Sequence, residues 1–298
     1  MEFSAERFFS EITSEVDAIE LVWRSKCGGK SFECKNCQSE RFYEIKTRPE
    51  VRTCKGCAKQ NRVRSGTMFE SSKTSLLIWV KAVFYMMQGK RGISASELKR
   101  HLGLKSYGLV WCMLQKIRSA LQQRDAGYCV GEGVVELDGA FFGKRETGNQ
   151  SEAFVAIETK DWIDENGKPK SKAGFAKVYV AKETKENAQK LVDQSIKKGA
   201  MVNTDGKFKN LDGVDHDYQV VSGKPEVCKH WLPWVHRFIS NAKSWINGTH
   251  HGVSEKHLER YLGEHTYRFN RRHDMDRLFH RALTACAVAK PLRLCALS

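Results

Sequence analysis

Apolar residues recur at near-helical spacing through Phe8, Phe9, Ile12, Val16, Ile19 and Val22, which predicts an amphipathic helix within residues 1–22. Residues 23–66 switch to short strand-like runs around paired cysteines, and residues 72–123 return to a helical pattern. From Gly131 onward the runs are short and of β type: GVVELDG, EAFVAIE, AKVYVA, AMVNTD and YQVVS. A helical stretch falls between the third and fourth of these, and two more follow the fifth. DAGYCVGEG, residues 125–133, carries three glycines and reads as a linker between the halves. The pattern divides the chain into residues 1–66 (a helix and cysteine-bearing strands), 67–124 (helices) and 131–298 (strands with C-terminal helices). The fold class expected is multi-domain, of mixed α+β and α/β character.

A length of 298 residues gives room for roughly two domains. The longest apolar stretch, SLLIWVKAVFYMM, is broken by Lys81 and falls short of the roughly 20 residues of a bilayer span. The acidic N-terminus lacks the basic and apolar regions of a signal peptide. A soluble, cytoplasmic chain with no membrane partner is therefore expected. Charge sharpens this picture. Between Arg24 and Arg118 there are 21 Lys and Arg against 6 Asp and Glu, whereas the rest of the chain has 29 of each. The whole net charge of +15 therefore lies in one stretch. Such a block suits a nucleic-acid partner, because each phosphate neutralised releases counterions.

Four of the ten cysteines form two pairs: Cys34 with Cys37 in CKNC, and Cys54 with Cys57 in CKGC, sixteen residues apart. This is the spacing of a zinc ribbon. Each C-x2-C turn aims two thiolates at one point, and four thiolates give the closed tetrahedral shell of a structural zinc. RFYEIKTRPEVRT between the pairs reads as a hairpin, with Phe42, Tyr43, Ile45 and Val51 packing beside the metal. Cys27 reads as a bystander.

ISASELKRHLGLKSYGLVWCMLQKIRSAL reads as a helix-turn-helix. Ser94 and Glu97 form a capping box, Leu98 and Leu102 an apolar pair, and Gly103 the turn. Val110, Met113, Leu114 and Ile117 mark the inner face of the second helix. That helix would present Lys105, Ser106, Tyr107 and Lys116 to DNA. An ordinary helical hairpin has the same pattern.

Asp138 ends the first strand-like run of the second half, and Asp205 ends the fourth, 67 residues later. Both stand in the same setting: apolar strand, Asp, Gly. Three strands, a helix, a strand and then helices is the order of a ribonuclease H-like mixed-sheet domain. There the first and fourth strands are neighbours, so the two carboxylates can converge. Paired carboxylates are what a two-magnesium phosphoryl-transfer site requires. A third ligand should come from a later helix, yet WLPWVHRFISNAKSWING (231–248) has no acidic residue. It offers His236 and Asn241, with His236, Ser240 and Lys243 on one face. Beyond it lie two adjacent histidines, Ser254 at a helix start, and a basic end at Arg268, Arg271 and Arg272, suited to DNA.

The double C-x2-C, RSGTMFESSKTSLLIWVKAVFYMM, VVELDGAFFGK, VNTDG, SNAKSWINGTHHGVSEKHLERYL and YRFNRR together resemble bacterial insertion-sequence transposases of the ISXO-like type. These carry an N-terminal zinc ribbon and a DDE catalytic domain. The resemblance implies magnesium- or manganese-dependent hydrolysis and strand transfer at DNA ends, with one structural zinc. It implies double-stranded DNA partners, both transposon ends and target, a homo-oligomer on DNA, and a place at the bacterial nucleoid. Asp138 and Asp205 match the first two acidic positions, and Lys243 the lysine seven residues after the third. That third position, usually Glu, falls on His236. Gly139 is a second departure, because many members have an acidic residue after the first Asp. Two alternatives stay open: an inactive or domesticated DNA-binding derivative, and a ribonuclease H-like repair nuclease with no preference for transposon ends.

Overall fold

A computed structural model describes residues 4–143, 150–219 and 230–292, without the side chains of Trp162 and Pro169. The end of the YQVVS run, Lys144, Cys228 and Cys295 lie outside the described residues. The chain forms two compact units, residues 1–124 with 271–298, and residues 125–270.

In the first unit the N-terminal helical pattern is two helices, α1 (Ala5–Glu11) and α2 (Glu15–Lys26), rather than one. The break is chemical: Ser14 accepts from the Asp17 backbone N–H while Asp17 accepts from the Ser14 N–H, a capping box that starts a new helix. It also leaves Phe9 and Val16 exposed, while Phe8, Ile19 and Val22 are buried. A three-stranded antiparallel sheet follows, β1 (Phe42–Glu44), β2 (Val51–Cys54) and β3 (Gln60–Arg62). The predicted hairpin is present, but Tyr43 points outward at 61% exposure and does not pack beside the cysteines. Helices α3 (Leu76–Gln88), α4 (Ala95–His101) and α5 (Tyr107–Ala126) account for the helical zone, α5 running on into the second unit. Ser94 caps α4 through the Glu97 N–H at 3.2 Å, and Gly103 turns the chain at φ +64°.

The C-terminal helix, grouped by sequence with the last domain, belongs to this first unit. Phe279 on it packs edge-on to Phe8 and to Phe84, and those two rings stack at 3.9 Å. A helix joins whichever apolar face it completes, and the Leu278, Leu283 and Cys286 stripe completes that of α2 and α3.

The second unit is built on a mixed five-stranded sheet in the order β6-β5-β4-β7-β8. Its strands are β4 (Val134–Phe142), β5 (Ser151–Ile163), β6 (Pro169–Val180), β7 (Met201–Thr204) and β8 (Asp215–Tyr218). The first three form an antiparallel meander, and β7 lies parallel to β4. Alternation along β4 divides its residues between two cores. Val135 and Leu137 pack with α6 (Lys185–Ser195), whereas Ala140 and Phe142 pack with α7 (Pro233–Trp245) and α8 (Glu255–Asn270). On α7, Val235, Phe238, Ile239, Ala242 and Trp245 form the buried stripe at helical spacing. The helix runs on into a π turn at Ile246–His250 before α8. No helix among the described residues is long and apolar enough to cross a membrane.

Candidate active site

Strand register fixes the carboxylates. In the parallel β4–β7 pair, Val135 faces Val202 and Glu136 faces Asn203, an offset of 67 residues. Asp205, the residue after β7, stands at the same offset from Asp138, 205 − 138 = 67, and its charge acts on the Asp138 carboxyl. The Trp231 indole N–H donates to the Thr204 carbonyl at 2.7 Å and pins that strand end. Asp138 lies within the central strand and is only 8% exposed; its Oδ1 accepts from the Gly139 N–H at 2.8 Å. Burial, and then the neighbouring Asp205 charge, push its carboxyl up to about 7.

Helix α7 brings His236 over the same strand, with Nδ1 3.5 Å from Asp138 Oδ2. Its Nε2 is buried with no hydrogen-bond partner among the described residues, and burial holds the imidazole below its ordinary pKa against the pull of Asp205. The neutral ring therefore leaves one nitrogen ready for a proton or a metal. Two turns on, Lys243 places its Nζ 6.0 Å from the Phe142 ring centroid, beside a cavity of about 160 Å³ that Gln150 and Asn247 also line.

Residues 131–270 match the family model of the ISXO2-like transposase domain. Over those residues the chain is similar to the domain of ISXO-like insertion-sequence transposases. The match ends at Asn270, where the second compact unit also ends. No curated protein and no solved structure matches the chain.

Two charged groups of this domain escape a reading of the sequence. Lys207, two residues after Asp205, donates its backbone N–H to Asp205 Oδ1 at 3.0 Å. Its Nζ lies 3.9 Å from Asp205 and 3.2 Å from Glu183. Glu183 comes from the loop before α6, and its Oε1 lies 2.1 Å from where a Cβ at Gly139 would stand. The Gly139 departure thus leaves room for a carboxylate delivered from elsewhere. Asp-Gly-Lys spacing could have flagged Lys207, but nothing in the sequence joins Glu183 to Gly139.

The residues present fit divalent cations in their chemistry: two largely buried carboxylates, one on β4 and one just past β7, are oxygen donors whose negative charges oppose each other. Their donor atoms are not gathered as closely as the cysteines. Among the described residues, the one set of three or more metal-ligating side chains whose donor atoms all lie within 4.8 Å is Cys34, Cys37, Cys54 and Cys57. Cys34 and Cys57 Sγ are 3.7 Å apart, and Cys37 and Cys54 Sγ 3.5 Å. Backbone N–H groups of Asn36 and Cys37 pull the Cys34 thiol down to about 6, and Asn61 Nδ2 donates to its sulfur at 3.6 Å. Against the pull of the Ser39 N–H, the Cys54 and Cys57 sulfurs push the Cys37 thiol up to about 12, and four converging sulfurs of this kind fit a structural zinc. Cys27 is outside it, as expected.

The residues expected at DNA divide by exposure. Lys105 and Tyr107 are exposed at the start of α5, and Ser106 caps that helix through the Leu109 N–H at 3.2 Å. Lys116 and Arg272 are half-buried, and Arg268 and Arg271 are buried at 8% and 7% exposure. Arg268 and Arg271 therefore face the interior instead of a surface open to DNA; α8 is amphipathic, and these two fall on its packed side or just past its end.

Proposed function

We propose that the protein is an active DDE-type transposase that recognises the terminal inverted repeats of its element, cleaves DNA there, and joins the free ends to target DNA. The observation that carries this reading is the position of Asp138 on β4 and of Asp205 just past the end of the neighbouring parallel strand β7, with His236 seated on Asp138. That arrangement is the one a ribonuclease H-like catalytic domain uses. Asp138 and Asp205 would hold magnesium or manganese ions beside His236, and those ions would supply the charge that activates the attacking oxygen and stabilises the leaving one.

In the cleavage step a water oxygen bonds to phosphorus as the bond to the DNA 3′ oxygen breaks. His236 accepts the water's proton at Nε2, and the 3′ oxygen leaves as a hydroxyl after protonation from solvent. After His236 has released its proton to solvent, that 3′ hydroxyl oxygen bonds to a target phosphorus as the bond to the target's own 3′ oxygen breaks; His236 takes the attacking hydroxyl's proton, and the target 3′ oxygen leaves as a hydroxyl protonated from solvent. Lys243 neutralises the phosphate beside the carboxylates. The zinc ribbon and the α4–α5 pair, acting as a helix-turn-helix, read the ends through Lys105, Ser106, Tyr107 and Lys116, with Arg272 as a further phosphate contact. Two subunits or more bring two ends together at the nucleoid.

The test is magnesium-dependent cleavage of a duplex carrying the inverted repeats that flank the coding sequence. Asp138→Ala and Asp205→Ala should each lose at least about 100-fold while still binding the duplex. Wild-type cleavage by either variant overturns the reading. The imidazole at the third corner favours one alternative, a DNA-binding derivative without chemistry. Nicking of the same duplex with manganese by the purified wild-type protein eliminates it.

A further inference from the structure

Helix α7 has no side-chain cap of its own: its N-cap is Leu232 and its first residue is Pro233. The free N–H groups of its first turn are met from outside. Glu136, on the central strand and only 3% exposed, accepts from the Trp234 and Val235 N–H groups, each at 2.8 Å to Oε2. Its other oxygen accepts from the Thr159 hydroxyl at 2.9 Å, so the carboxylate is held on both sides. A carboxylate at a helix N-terminus is favourable twice over, through its hydrogen bonds and through the helix dipole.

The position of this cap is what gives it a consequence. Glu136 and Asp138 stand two residues apart on β4 and so share one face of the sheet. The amides that Glu136 binds are one and two residues before His236. Strand and helix are thus joined at two neighbouring points, carboxylate to backbone at Glu136 and carboxylate to imidazole at Asp138. The first point uses no reacting atom, and it fixes both the height and the rotation of the helix that carries His236 and Lys243.

We infer that Glu136 is the positioning residue of the active site, anchoring the start of helix 233–245 on the central strand so that His236 meets Asp138. This rests on the catalytic reading of Asp138, Asp205 and His236. Glu136 touches no substrate and acts through the helix. Gln is isosteric, can accept both N–H groups through its carbonyl oxygen, and can donate to the Thr159 oxygen. Ala can do none of this.

The experiment compares full-length wild type, Glu136→Ala and Glu136→Gln for amide hydrogen exchange over residues 234–240, affinity for the inverted-repeat duplex, and its cleavage. For Glu136→Ala, exchange should quicken at least about tenfold and cleavage fall about 100-fold, since a displacement near 1 Å can cost that much. Duplex affinity should stay within about threefold, and Glu136→Gln should stay close to wild type in all three. A folded Glu136→Ala protein with wild-type exchange or wild-type cleavage overturns the inference. So does a Glu136→Gln protein as impaired as Glu136→Ala, which would mean that charge rather than anchoring is needed. Should Glu136→Ala fail to fold, Glu136→Asp, one methylene shorter, takes its place with the same criteria. Asp138→Asn is run alongside: if it cleaves like wild type the catalytic reading fails, while the exchange over residues 234–240 still decides whether Glu136 anchors the helix.

Discussion

Asp138 and His236 meet with Oδ2 and Nδ1 3.5 Å apart, and the contact joins the central strand of the second unit to the helix after its sheet. Neither group keeps its ordinary ionisation. Burial and Asp205 raise the carboxyl to about 7, while burial lowers the imidazole. The site therefore disfavours both of its own charges near neutral pH. A bound divalent cation would reverse that preference at Asp138.

Stability should show this. A free aspartate titrates near about 3.9, and folded Asp138 near about 7. Between these values the folded protein holds a proton that the unfolded chain has lost, so the contribution is complete below about pH 4 and disappears as pH rises through about 7. An asparagine in its place has no such dependence. In magnesium-free buffer with zinc retained, Asp138→Asn should match wild type near pH 4 and exceed it by roughly 2–4 kcal/mol at pH 8. His236 titrates in both proteins and largely cancels. Urea melts across this range check it, and a constant difference would contradict the assignment of about 7 to Asp138. Manganese added at pH 8 should stabilise wild type and leave the variant nearly unchanged.

Zinc content tests the cysteine cluster separately. Wild type should hold one zinc per chain, and Cys54→Ser, which removes a buried ligand, should lose it. Cys27→Ser should retain it, because Cys27 lies outside the cluster. Metal analysis of the purified variants reads this directly. Melting of Cys54→Ser should occur at lower temperature than that of Cys27→Ser, because zinc affinity contributes to folding.

Features with a local signal were readable in the sequence. The C-x2-C turns, the Ser94 cap, the inner face of α5 and the strand-Asp-Gly pair each depend on residues within a few positions of one another. The 67-residue spacing equals the offset of the β4–β7 register, so the sequence itself relates Asp138 to Asp205. What escaped depends on contacts distant in sequence. Glu136 meets amides 98 and 99 residues away, and Glu183 lies against Gly139 across a strand and a loop. The final helix carries an ordinary apolar stripe, and nothing within it says which core it joins. Arg268 and Arg271 read as a basic end because charge is visible in sequence and burial is not.

DNA binding should separate exposed cations from buried ones. Lys105→Ala should weaken binding to any duplex and reduce the slope of log affinity against log salt by about 0.9, one phosphate contact. Arg268→Ala should leave that slope unchanged and instead destabilise the fold by roughly 1–3 kcal/mol through the packing it removes. Arg268 is only 8% exposed, and the charge of buried Glu264 acts on its guanidinium. Fluorescence anisotropy at several salt concentrations and a thermal melt separate the two effects. An Arg268→Ala protein of normal stability and reduced slope would return Arg268 to the DNA surface.

Gly139 offers the most local test of the Glu183 carboxylate. A methyl group there would stand 2.1 Å from Glu183 Oε1, a distance no real contact tolerates. The obstructing atom is the end of a flexible side chain, so Glu183 should swing away and leave Lys207 without its 3.2 Å partner. Lys207 is more than half exposed, so the lost ion pair should cost less than about 1 kcal/mol. The informative quantity is the coupling. If the clash is what matters, Gly139→Ala should destabilise the wild-type background but not one that already carries Glu183→Ala, where no carboxylate remains to displace. Urea melts of the four proteins of this double-mutant cycle give the coupling energy. A value near zero would mean that the carboxylate does not occupy the space beside Gly139 in solution.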